Sequence, residues 1–132
     1  MKPADLLDLV APLTPFEESG CVCKGEDYYS ARSLYDQAAK EKAKPYKIRV
    51  RDVDFCVNGW RTNDVRLADY AYHARRAMAV DLSIPIIVGP LGGIMDGYHR
   101  LMRALLDGEE YVLAVRLKEL PEATKDPDPD KG

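Results

Sequence analysis

Residues 84–100 read Ile-Pro-Ile-Ile-Val-Gly-Pro-Leu-Gly-Gly-Ile-Met-Asp-Gly-Tyr-His-Arg, and this stretch decides the fold. It reads as a strand, a turn, a short strand, and a glycine loop that feeds straight into a helix. Gly92-Gly93 predicts the hairpin turn between Ile87 and Ile94. Leu101, Ala104 and Leu105 then recur at helical spacing as one apolar face, up to Gly108, a residue favoured just past a helix C-terminus. The loop from Asp96 to Arg100 therefore falls where the first-turn N–H groups of a helix have no partner. Those N–H groups carry partial positive charge, and Arg100 and His99 add donors and formal charge, so the expected guest is an anion, with phosphate the obvious one.

A chain of 132 residues, 46% of them hydrophobic, is long enough for one core and too short for two ordinary domains. The net charge of −3 gives no general basic face for nucleic acid. No run approaches the ~18 apolar residues of a membrane span, and Asp5 and Asp8 interrupt the N-terminal apolar stretch, so a soluble, cytoplasmic protein without membrane contact is expected. Cys21, Cys23 and Cys56 are too few and too irregularly spaced for a disulfide framework. Cys21 and Cys23 could contribute to a zinc site, but neither histidine is near and no second cysteine pair completes four ligands. Reduced loop cysteines, and a buried Cys56, are the expectation, with no metal site.

Outward from the central stretch, Lys2 to Val10 predicts a short helix with Leu6, Leu7 and Val10 on one face. Pro12, Pro15, Gly20 and Gly25 predict turns over residues 11–26. A helix starting near Asp27 or Ser30 carries the stripe Ala31, Leu34, Tyr35, Ala38 and Ala39 and runs out through Lys40, Lys42 and Lys44 to Pro45. Tyr46, Ile48 and Val50 alternate with Lys47, Arg49 and Arg51, a half-buried strand continuing toward Val53 and Phe55 with three bases on one face. That face is either solvated or a basic wall for nucleic acid or nucleotide. Thr62 or Asn63 can cap a helix reaching about Val80, with Leu67, Ala71, Ala74 and Met78 as its apolar face and His73 exposed or partly packed. Trp60 before it packs on the core or stacks on a base. Tyr111 to Leu117 completes a small mixed sheet with the Ile84–Val88 strand. The expected fold class is α/β, in the α+β sense: a small mixed sheet with packed helices. An N-terminal helical extension (1–45) packs on a core domain (46–120), and an acidic, proline-rich tail (121–132) is disordered.

The run from Ile84 to about Leu117 resembles the core of the ParB/sulfiredoxin superfamily, in which a buried Pro-Ile-x-Val strand precedes a glycine loop ending in basic residues. Asp96, Gly97, His99 and Arg100 match the Asp-Gly-x-His-Arg form of its free serine kinase branch and of many small ParB-like domains. Sulfiredoxins carry Gly-Cys-His-Arg there, and Tyr98 stands where their catalytic cysteine would be, which argues against sulfinic acid reductase activity. Partition proteins carry Gly-Glu-Arg-Arg, matched only at Gly97 and Arg100. The resemblance implies a ParB/sulfiredoxin-like fold over Tyr46 to Leu120. It also implies polar contacts to the nucleotide from the start of the preceding helix, which by position are Arg61, Thr62 and Asn63.

Together these assign nucleotide phosphate binding to Gly97, Tyr98, His99 and Arg100, with Arg61, Thr62 and Asn63, and catalytic roles to Asp96 and His99. Arg100 grips phosphate oxygens and His99 donates to them or acts as an acid. Asp96 binds Mg²⁺, orients Arg100, accepts a proton from an attacking hydroxyl, or only shapes the turn. The expected ligand is ATP, ADP or CTP, with Mg²⁺. Three functions compete: a phosphotransferase or nucleotide hydrolase; a nucleic-acid-associated, nuclease-like module of the kind found in partition, plasmid and phage proteins; and a noncatalytic interaction protein with a protein partner or homodimer contact through its N-terminal helices. DNA contact, if made, is expected to be weak and salt-sensitive. The kinase branch implies an acidic base before the central helix, where Asp54, Asp64 and Asp69 are the carboxylates at hand.

Overall fold

The computed structural model of the chain describes residues 2–13, 16, 20–23, 27–53 and 66–124. Along them run α1 (Pro3–Val10), β1 (Gly20–Cys23), β2 (Asp27–Ser30), α2 (Ala31–Lys40), β3 (Tyr46–Arg49), a 3₁₀ turn (Val50–Asp52), α3 (Leu67–Ala79), β4 (Ile86–Val88), β5 (Ile94–Asp96), α4 (Tyr98–Asp107) and β6 (Tyr111–Arg116). The fold is α+β, with a four-stranded mixed sheet in the order β3-β6-β4-β5. β4 and β6 run parallel, and each pairs antiparallel with its outer neighbour. The strand–hairpin–strand–helix order of residues 84–107 is as the sequence predicts.

Alternation along the two central strands divides the interior in two. Ile86, Val88, Val112 and Ala114 gather with Val50, Leu101 and Ala104. Ile87, Val115 and Leu117 gather on the opposite face with Tyr29, Leu34 and Met95. Strands buried on both faces read as continuous apolar runs, as Ile-Ile-Val does here. α4 covers the first face, while α2 and β2 cover the second. The first 45 residues therefore supply part of the interior, and Leu34 is 0% exposed against strands of the expected core domain.

That N-terminal segment is not purely helical. β1 pairs antiparallel with β2, Gly20 opposite Ser30 and Cys23 opposite Asp27, where turns alone were expected. Tyr28, Tyr29 and Val22 are strand-prone residues, and cross-strand pairing outweighs the Pro and Gly content around them. α2 begins after Ser30, whose hydroxyl accepts the Ser33 N–H at 3.1 Å. It ends at Lys40, earlier than the lysine run suggested. The Lys42 N–H donates to the Ala39 carbonyl and the Ala43 N–H to the Ala38 carbonyl, both at 3.0 Å, with Lys42 at φ 53°. This is a Schellman-type helix end holding lysine where glycine is usual. Glu41 then accepts backbone N–H groups from Lys118 (2.7 Å) and Glu119 (3.1 Å), which keep its carboxyl below the usual range and tie α2 to the segment after β6.

Four further expectations are corrected. The strand from Tyr46 stops at Arg49, because the chain coils into the 3₁₀ turn, closed by the Val53 N–H on the Val50 carbonyl at 3.2 Å, which carries Val50 into the core; Phe55 lies outside the described residues. α3 presents the opposite face from the one predicted: Leu67 and Met78 are 84% and 75% exposed, while Ala77 is buried and Tyr72, His73 and Arg76 are half-buried. A polar inner face is tolerable because its groups find partners, and among the described residues no buried side-chain polar atom lacks one. Leu105 faces outward, as do Leu6 and Val10 of α1. The tail begins anchored, with the Thr124 N–H on the Tyr28 carbonyl at 2.8 Å; residues 125–132 lie outside the described residues.

The left-handed Lys42 generates a stability prediction. Lys42→Gly removes the Cβ strain at φ 53° and is expected to stabilise the protein by about 1 kcal/mol. A thermal melt rising by a few degrees supports this end geometry; an unchanged or lower melting temperature contradicts it.

Candidate functional site

β5 passes into α4 through a single residue. Gly97 sits at φ 115°, and a Cβ on it would lie 2.4 Å from the Ile86 Cγ2. Glycine is required here by the left-handed backbone and by the packing of β4, whether or not a ligand approaches. No side chain caps α4 at Gly97.

Arg100 turns inward. Its Nη1 donates to the carbonyls of Pro85 at 2.8 Å and Ile84 at 3.1 Å, and its Nη2 donates to Asp96 Oδ2 at 2.7 Å and to the Tyr35 hydroxyl. The Tyr35 hydroxyl in turn donates to Asp96 Oδ2 at 3.0 Å, with the Pro85 carbonyl at 3.2 Å. The Arg100 and Asp96 side chains are only 11% and 21% exposed. Burial, then the Asp96 charge, pushes the Tyr35 phenol upward, so it stays a neutral hydroxyl. Of the roles considered for Asp96, the arrangement matches orientation of Arg100. Its Oδ2 is occupied by two donors, which fits a magnesium ligand poorly, and no group of three His, Cys, Asp or Glu among the described residues is placed to hold a metal.

His99 faces α3. Its Nε2 lies 2.8 Å from Nδ1 of His73. The ring centroids are 5.1 Å apart and the planes differ by 19°. That separation is about the N···N distance plus the two ring radii, so the imidazoles meet edge to edge, nearly coplanar, in an N–H···N bond. Tyr72 stands perpendicular to His99, with centroids 6.3 Å apart, and receives Arg76 Nη1 on its hydroxyl at 3.1 Å. Burial first, then Arg76, His73 and Arg100, brings the His99 pKa down to about 3. His73 is lowered as well, by burial and Arg76 against the opposing pull of Asp69. Both rings are neutral near pH 7, and His99 is a poor general acid there. Tyr98 has a packing role: its ring lies against the first core and its hydroxyl donates to the Ile94 carbonyl at 3.4 Å.

The structure thus brings Asp96, Gly97, Tyr98, His99 and Arg100 to one junction. Arg61, Thr62 and Asn63 lie outside the described residues, as do Asp54, Asp64, Cys56 and Trp60. Asp69 caps α3 by accepting the Arg66 N–H at 2.8 Å. Sequence reasoning missed Tyr35, His73 and Arg76. Helical phase could have signalled the last two, since His73, Arg76 and Ala77 share one face of α3. The expected basic wall is interleaved with acids: Arg49 pairs with Glu110 and Arg51 with Asp52, each at 3.7 Å, and Lys47 lies over the Tyr111 ring. Two surface hollows of about 330 and 250 Å³, the first lined from β3, β6 and the α3–β4 loop and the second from the 3₁₀ turn, the end of β3, Leu105 and the α4–β6 turn, share no residue with 96–100. No helix among the described residues is long and apolar enough to cross a membrane.

Comparison with known proteins finds no matching family model, no matching curated protein and no matching solved structure.

The network at Arg100 predicts that Tyr35→Phe destabilises the fold by about 1–3 kcal/mol, since one hydroxyl serves both Arg100 and Asp96. Chemical denaturation measures it. A loss within about 0.5 kcal/mol, the range of an ordinary surface substitution, contradicts the network's importance.

Proposed function

We propose that this protein binds the phosphate group of a nucleotide at the start of α4, as a ParB/sulfiredoxin-like domain protein acting in the cytoplasm. One observation carries this: Gly97 opens α4 without a side-chain cap, and the Arg76 guanidinium, held on the Tyr72 hydroxyl at 3.1 Å beside the His99 ring, sets a positive field at that first turn. Such a field disfavours a proton on His99 and favours an anion beside it. The donors are the N–H groups of Tyr98, His99 and Arg100, with the neutral His99 ring and the Arg76 guanidinium beside them. Arg100 acts by fixing the junction, because Asp96 already balances its charge. The nucleotide is ATP, ADP or CTP, with Mg²⁺ carried on the phosphates rather than on Asp96. Phosphoryl transfer or hydrolysis is not needed for this role.

An interaction protein is the second reading, favoured by the outward stripe Leu67, Tyr70 and Met78 on α3. Sedimentation at rising concentration separates the two: a dimer broken by Leu67→Glu favours interaction, and a monomer at all concentrations leaves phosphate binding ahead.

Calorimetric titration with ATP, ADP, CTP and GTP, with and without Mg²⁺, tests the site. Arg100→Ala is a poor probe because it strands Asp96 and two carbonyls. Saturable binding weakened about tenfold by Arg76→Gln is expected, the scale of a lost charge-assisted hydrogen bond. No heat at millimolar nucleotide, or equal affinity in the variant, contradicts the site.

A further inference from the structure

His73 and His99 are the two histidines of the chain, and the fold joins them in one hydrogen bond between α3 and α4. The two helices run side by side in the same direction: four residues beyond His99, Arg103 donates to the carbonyls of Ala77 and Met78 at 3.4 and 2.9 Å. We propose that the His73–His99 contact is an acid-operated latch, in which one proton shared between the facing nitrogens fastens α3 to α4 and a proton on each of them parts the helices.

The proton count follows from the facing atoms. With the proton on His73 Nδ1, His99 Nε2 accepts. A first added proton enters His73 Nε2, on the far side of that ring, and leaves the bond in place as a charge-assisted one. A second enters His99 Nε2, removes the acceptor, and sets two N–H groups and two positive charges against each other across 2.8 Å. Placing the shared proton on His99 instead gives the same count.

The surrounding charges oppose that second proton. From α3, Arg76 opposes charge on both rings and Asp69 favours it on His73; from α4, Arg100 opposes it on His99. Arg103 binds the α3 carbonyls. Asp8 of α1 is spent on Arg75, and Arg51 and Asp52 of the 3₁₀ turn pair with each other. β6 turns Val112 and Ala114 toward α4. The closed seam therefore binds fewer protons than the released helices, whose histidines titrate near ~6.5. Closure is complete above that pH and weakens as pH falls below it.

Amide hydrogen exchange in the full chain between pH 7 and pH 5, corrected for intrinsic rates, reads the latch. Residues 67–79 are expected to lose protection relative to residues 31–40 by about tenfold per pH unit for each proton taken up on opening. The double variant His73→Gln/His99→Gln is expected to abolish that differential slope. Parallel loss in both helices of the wild type, or an unchanged slope in the variant, overturns the latch. Should the variant fail to fold, imidazole ¹⁵N shifts of the wild type decide: two rings titrating independently near ~6.5 overturn it, and a ring still neutral at pH 5 supports it.

Discussion

The Arg100 guanidinium ties together four segments that are distant in the chain: α2 through Tyr35, the approach to β4 through the Ile84 and Pro85 carbonyls, β5 through Asp96, and α4, on which it stands. A half-buried cation is tolerable only when its charge and donors are met, and here two carbonyls, a hydroxyl and a carboxylate meet them. This knot holds β5 and α4 at the left-handed turn that Gly97 makes at φ 115°, with Ile86 pressed against the glycine. The two cores, one on each face of the sheet, are joined beside it through Ile86 and Ile87.

The same constraint redistributes chemistry along the Asp-Gly-Tyr-His-Arg sequence. Arg100 and Asp96 neutralise each other and become framework. Tyr98 goes to the core. What remains directed away from the framework is His99, and its partners come from α3: His73 by hydrogen bond, Arg76 by charge, Tyr72 by its ring. A phosphate-binding role for this junction thus leans on main-chain N–H groups and Arg76, whereas a role based on Arg100 would require dismantling the knot that shapes the loop.

Much of the fold was legible in the chain. The apolar run at Ile86–Val88, the paired glycines of the hairpin and Gly108 all specify local geometry, and each stands where its chemistry demands. The stripe of α2 was legible for the same reason, since Ala31 and Leu34 are buried. α3 was not: Leu67, Ala71, Ala74 and Met78 form as good an apolar stripe as any, yet the helix turns it outward because His73 bonds to His99, the small Ala77 is buried, and the Ala77 and Met78 carbonyls receive Arg103 of α4. Periodicity finds a helix but does not say which face a neighbour can satisfy. Tyr35 stands in the α2 stripe, packed against the second core, but its hydroxyl acquires a role only through residues 50 and more positions away.

The central claim is that the first turn of α4 is an anion site whose positive charge comes from α3 as much as from α4. A two-dimensional ¹H–¹⁵N spectrum titrated with ADP reads it most directly. Saturable shifts confined to the amides of Tyr98, His99 and Arg100 and to the His73 and His99 rings are the predicted result. Shifts scattered over the surface, or none at millimolar ADP, would contradict it.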